Sequence, residues 1–471
     1  MQQAIQNGKD AVMKLLDGGH DVNTINGSDW PPICFATYYG KPDVIQLLLD
    51  RGADANKALG MGATSIFIAC EHQKLECLKV LIEKGKADPN LACHGSECHP
   101  FLKCCENGNL GIVRYMVEGA NCNMDQQQLD GATGFFMACQ HNRLEVVKYL
   151  CEKGVDADLG KRDSATPIIV ASELGNAEVV RAICTLARSK KSADTAMYNG
   201  VTPLYKACEH GHFEIVKTLV EDAGVDPDKP KNDGVSPLFT ACQMGHLNII
   251  QFLADRGADV NKAKNDGVTP VYMAAEYRNV AIVEYLVAKD ADLTKRSVNG
   301  LTALHAACIQ HVPETVEVLL QAGADLEARD NGGFTPLCNA CEWGRARIAA
   351  LLLGFGADAR AAGWNGNTGL HLAAWKGHIE IVQQFLGADA DQYGTVSLAS
   401  QKNHYGYTPL HLAALHGRLE AAKLLVSFDA DLGALDRRGR TPEAAAQAAG
   451  RPGVADYLAV TRLLHRLPAR A

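Results

Sequence analysis

The stretch TPLYKACEHGHFEIVKTLV, beginning at Thr202, recurs along the whole chain, and that periodicity limits the possible folds more than any other feature. The same pattern starts at Thr64, Thr133, Thr166, Ser236, Thr269, Thr302, Thr335, Thr368, Thr408 and Thr441, with degenerate copies from Pro31 and His99. Successive starts lie 33, 35, 34, 33, 36, 34, 33, 33, 33, 33, 40 and 33 residues apart, and a partial unit covers Met1 to Asn23. A unit of this size cannot bury its own apolar face, so neighbours must stack to make a core.

The chemistry inside the unit sets its local structure. Thr or Ser at the start caps a helix with its hydroxyl, and Pro at the next position, present in nine of thirteen copies, suits the first helical turn, where its missing N–H has no partner to lose. Nine residues after the start stands Gly in nine copies and Asn142 in another, which predicts a left-handed helix end. A second apolar-periodic segment follows, such as FEIVKTLVEDAG or LEVVKYLCEKG, and Asn-Gly or Asp-Gly before the next start reads as a hairpin turn.

With TPLHLAALHGRLEAAKLLV from Thr408 and TALHAACIQH from Thr302, the chain resembles the ankyrin-repeat family over essentially its full length. The resemblance implies an all-α fold, an ankyrin-repeat solenoid of stacked helix-turn-helix units with short β-hairpin loops. The expected organisation is a partial N-terminal repeat at 1–26, an array of about 13 repeats over 27–458 and a C-terminal tail at 459–471. The Ala- and Arg-rich last copy, RTPEAAAQAAGRPGVADYLAV, fits a capping repeat.

Composition narrows the function. Of 471 residues 47% are hydrophobic and 21% charged, the range of a folded, soluble chain. The net charge of −8 offers no global field for phosphates, so nucleic acid is not expected as a partner. The N-terminus lacks a signal-peptide core, and the richest apolar run, from Ile348, is too short to span a bilayer; no membrane insertion is expected. Sixteen cysteines in such a chain point to reduced thiols and a cytoplasmic location, with the nucleus as the other compartment. The sequon Asn26-Gly27-Ser28 is read as chance.

Six residues of metal-ligating type crowd into LACHGSECHPFLKCCENGN: Cys93, His94, Cys98, His99, Cys104 and Cys105. Register removes two of them. Counted from each start as zero, Cys fills position six in seven copies (Cys70, Cys105, Cys139, Cys208, Cys242, Cys308 and Cys341), where the others mostly use Ala or Ser, so Cys105 is core packing and Cys104 fills the preceding Ala slot. The remaining four lie in a divergent hairpin with Glu97 in place of Gly; a metal- or redox-responsive sensor built on Cys93 to Cys105 is the alternative function. His305, His371 and His411, in the T-P-L-H slot, and His212, His246 and His378, after the mid-unit Gly, are read as structural.

There is no Walker A loop, H-E-x-x-H, G-x-S-x-G elbow or kinase loop set, so neither catalysis nor a cofactor is expected. The resemblance implies a protein partner on the concave face, met by positions seven, eight, minus one, minus three and minus four. Position seven carries Glu71, Glu106, Gln140, Glu173, Glu209, Gln243, Glu276 and, after Ile309, Glu342, an acidic and amide ladder suited to a basic segment. All four tryptophans fall in these columns: Trp30, Trp343, Trp364 and Trp375, the last three joined by Tyr277, Phe334 and Tyr407. The step from Thr368 to Thr408 lengthens one connection by about seven residues and is expected to make a loop beside this cluster.

Overall fold

The computed structural model describes residues 1–24, 29–60, 62–93, 98–187, 192–392 and 398–465. They form two compact units, Met1–Asn232 and Asp233–Ala471. The first begins with the short helices Gln2–Asn7 and Lys9–Asp17 and continues through six helix pairs, from Pro32–Tyr38 with Pro42–Asp50 to Pro203–His210 with Phe213–Lys217. The second holds seven pairs, from Pro237–Met244 with Leu247–Asp255 to Pro442–Ala448 with Pro452–Leu464. Within each unit the first helix of a repeat packs on the first helices of its neighbours, so a core formed by one repeat is closed only by the next. None of the described helices is long and apolar enough to cross a membrane.

Every first helix starts at the residue after its Thr, Ser or equivalent. At Thr133, Thr202, Ser236 and Thr408 the hydroxyl oxygen accepts the backbone N–H three residues on, at 3.1, 3.1, 3.2 and 3.4 Å. Position nine has a positive φ in all thirteen copies, including four without glycine: Gln73, Asn142, Arg278 and His311. The cysteines of position six are fully buried and pack there as small apolar side chains.

The irregular steps have structural causes. Both 34-residue steps contain a π-helical turn, Tyr115–Gly119 and Thr218–Asp222, closed by Ala120 N–H to Tyr115 O at 2.9 Å and Ala223 N–H to Thr218 O at 3.1 Å. The extra residue is absorbed as a wider turn, which leaves the caps in register. The 40-residue step differs from the expected loop: it first extends the second helix to Ile379–Gln392, and Leu398 and Ala399 are then buried. The hairpins are turns, not strands. Ser297 N–H bonds Leu301 O at 2.9 Å, but beyond the single bridge Ala362–Thr368 the described residues carry no β-ladder.

Candidate partner-binding surface

Position seven sits in the last turn of each first helix and position eight at or next to its cap, so both columns emerge where the helix carbonyls lose their intrahelical partners. The residue at position ten of the following repeat satisfies those carbonyls. His212 Nε2 donates to Glu173 O at 3.0 Å, Arg143 Nε to Glu106 O at 2.8 Å and Asn176 Nδ2 to Cys139 O at 2.9 Å in the first unit. In the second unit Arg345, His378 and Arg418 do the same for Ile309, Glu342 and Trp375. Two of the histidines after the mid-unit glycine, His212 and His378, are therefore inter-repeat latches.

The acidic ladder carries its own cations. In the first unit Lys206 Nζ lies 3.1 Å from Glu173 and 2.9 Å from Glu209, and Lys103 Nζ 2.9 Å from Glu106. Burial works against the Lys206 charge, but hydrogen bonds and attraction from the two carboxylates outweigh it and hold its pKa above the ordinary lysine value. Glu71 is exposed and 3.9 Å from His72, and Gln140 is half-buried. In the second unit Gln243 donates to the Tyr277 hydroxyl at 3.2 Å, Glu276 is half-buried, and Glu342 lies 3.7 Å from Lys376.

The aromatic residues stand apart as a spaced series. Tyr277, Trp343 and Trp364 are exposed at 50%, 54% and 64%, while Phe334, Trp375 and Tyr407 are half-buried. Trp364 is held firmly for so exposed a ring: its Nε1 donates to Asn331 O at 3.1 Å, and its indole covers Gly333, where an added Cβ would meet the ring at 2.7 Å. Phe334 covers Gly363 in the same way. Trp375 is 5.5 Å from the His416 ring, and Tyr407 lies 5.9 Å from His411 and accepts from Arg440 at 3.2 Å.

Sequence reasoning named Trp30 but missed the group of rings around it. Trp30 and Tyr38 pack edge to face at 5.7 Å, Tyr38 does the same with His72 at 4.8 Å, and Tyr39 joins them at 5.3 Å while its hydroxyl accepts from Gln2 and Gln6. The signal was there: Tyr38 and Tyr39 hold positions seven and eight of the degenerate copy that starts at Pro31.

The cysteine-rich hairpin turns its described donors inward, except for the half-buried Cys98. Cys93 is buried, with its N–H bonded to Cys98 O at 3.0 Å and its thiol pKa pushed up to about 11 by burial. His99 is buried and spends Nδ1 on Asn90 O at 3.1 Å; Cys104 and Cys105 are core residues against Cys70. His94 and Glu97 lie outside the described residues, among which no three His, Cys, Asp or Glu side chains are arranged to hold a metal ion.

The family model for ankyrin repeats, three copies to a match, fits residues 1–93, 101–194, 183–264, 260–330, 327–394 and 370–462. The chain belongs to the ankyrin-repeat family. It is 28% identical to the Probable 26S proteasome regulatory subunit p28 of Saccharomyces cerevisiae over 28% of this chain and 58% of that protein. It is 35% identical to the Homo sapiens SMC5-SMC6 complex localization factor protein 1 over 26% of this chain and 11% of that one, and 25% identical to the Homo sapiens 2-5A-dependent ribonuclease over 27% and 23%. The chain thus spans under two thirds of each, and all the segments matched to the family in this chain are ankyrin repeats.

Proposed function

We propose that this ankyrin-repeat chain is a non-enzymatic scaffold or adaptor that binds another protein along the concave side made by its first helices and hairpin tips. Ankyrin repeats are generally protein-interaction modules, and one observation supports this surface above the rest: Trp343 and Trp364 are more than half exposed in the partner-facing columns. A large aromatic left in water and already oriented loses little conformational entropy on binding, which is how interface anchors gain affinity. The ladder from Glu71 to Glu209 still has more carboxylates than lysines after its internal ion pairs, which supports a basic partner segment at the first unit. Sixteen free cysteines, fourteen of them buried, support a reducing compartment such as the cytoplasm.

The test is affinity capture with the intact chain and a Trp343→Ala/Trp375→Ala variant at low and high salt. A protein recovered only by the unaltered chain, and less of it at high salt, is expected. Equal recovery by both chains rejects the aromatic site, and recovery unaffected by salt rejects the basic segment.

A further inference from the structure

The far end of the second unit reverses the charge of the ladder. Position seven becomes Trp375, followed by Lys376, and in the next repeat position eight is His416. Arg418 and Arg451 occupy position ten of two successive repeats, the latch slot. Each spends its Nε on the preceding helix end, Arg418 on Trp375 O at 3.1 Å and Arg451 on Leu415 O at 3.4 Å. Their stems lie across glycines: a Cβ on Gly377 would come 2.9 Å from Arg418 Cδ, and one on Gly417 3.1 Å from Arg451 Cδ. The latch and the glycine fix where each guanidinium sits.

Both arginines are exposed, and neither has a carboxylate within ion-pair distance among the described residues. Lys376 Nζ stands 4.3 Å over the Trp375 ring and reaches Glu342 only at 3.7 Å. His416 registers the crowding: burial first, then the charges of Arg418, Arg451 and Lys376, hold its pKa below the usual imidazole value. Lys376 stands over the half-buried indole, Arg418 holds the Trp375 carbonyl, and Arg451, one repeat on, is near enough for its charge to act on His416, whose ring lies 5.5 Å from the indole. An arginine whose Nε is already committed still offers its terminal N–H groups as a fork for carboxylate oxygens.

We propose that Trp375, Lys376, His416, Arg418 and Arg451 form a docking patch for an acidic segment of a partner protein, its carboxylates in the guanidinium forks and an apolar or aromatic side chain on the indole. The inference rests on the reading that these columns receive a protein. A protein segment fits better than a nucleic acid because the cations are few, interleaved with Glu342 and set in a chain of net charge −8.

The experiment is fluorescence anisotropy on the full chain with a labelled Glu/Asp-rich peptide carrying one Phe. A Lys-rich peptide and a single-stranded oligonucleotide of equal length serve as comparators. The acidic peptide is expected to bind, to weaken with salt and to lose about tenfold in affinity in Arg418→Gln/Arg451→Gln. Because that variant also removes two latches, Glu342→Gln is the independent check: it leaves the latches intact and is expected to tighten binding about twofold by removing a competing carboxylate. Unchanged binding in both variants, or tighter binding of the oligonucleotide, overturns the proposal. If Trp375→Ala abolishes peptide binding while the charge variants do not, the aromatic reading survives and the anion patch fails; if all bind alike, both fail.

Discussion

His371 Nε2 donates a hydrogen bond at 3.0 Å to the carbonyl oxygen of Tyr407, one repeat ahead. Its other nitrogen, Nδ1, accepts from the Thr368 N–H at 3.3 Å and the Thr368 hydroxyl at 2.8 Å. One neutral ring therefore caps its own helix and ties down the next hairpin. His305 and His411 repeat the arrangement toward Phe334 O and Arg440 O.

This geometry works only for the neutral imidazole, which sets a pH dependence. Burial, partly opposed by the carbonyl hydrogen bonds, lowers the pKa of all three, that of His371 to about 4 against an ordinary 6.5. As pH falls below 6.5 the unfolded chain takes up protons that the folded one refuses. Stability is therefore complete above about pH 6.5 and is lost between there and about 4, by roughly 3 kcal/mol for His371. Denaturant midpoints at pH 7.5, 6 and 5 should fall in that order, and His371→Gln should flatten the decline.

His311 occupies the helix-ending slot at φ 67, a left-handed conformation that costs a side chain about 1 kcal/mol. Replacing it with glycine, the residue nine other copies use there, is expected to stabilise the chain by up to that amount. A lower chemical midpoint for His311→Gly would contradict this reading.

Gly333 shows the opposite sensitivity. It has φ 75 and lies under the Trp364 indole, so Gly333→Ala adds both backbone strain and a collision with the ring. The expected loss is about 2 kcal/mol. Acrylamide quenching of tryptophan fluorescence should rise as the indole is pushed off its seat; an unchanged quenching profile would show that the ring was never anchored there.

Thiol labelling follows burial. Fourteen cysteines are buried, and only Cys98 and Cys184 are half-buried. Brief alkylation at pH 8 followed by peptide mass analysis should mark those two first, slowly because burial raises both pKa values, and mark the others only after unfolding. Early modification of Cys70 or Cys308 would mean that the repeat stack opens in the native state.

Trp343 separates function from stability. With its ring more than half exposed, Trp343→Ala should change stability by no more than about 0.5 kcal/mol while partner capture drops. Equal losses in the thermal midpoint and in capture would mark the residue as structural.

Most of the fold was legible because its signals are local. Thr202 caps a helix through atoms three residues away, and Gly211 ends it through its own φ; the 33-residue recurrence of such pairs required stacking. The candidate surface was legible only as columns. That Lys206 bridges Glu173 and Glu209 depends on contacts between consecutive repeats, as does the seating of Trp364 on Gly333, and residue types alone do not report such contacts.

By itself the sequence determined the period, the helix starts and the slot for small buried thiols, since each follows from backbone capping or from apolar spacing within one unit. Only the tertiary structure decided that Gln73, Arg278 and His311 bend into the glycine conformation, that two repeats absorb a residue as a π-turn, and that the 40-residue step extends a helix. It also decided that Arg418 and Arg451 are held at two helix ends. The reason is physical: a repeat that cannot bury its own face takes its final geometry from its neighbour, and packing across that interface outweighs the local preference of any one residue.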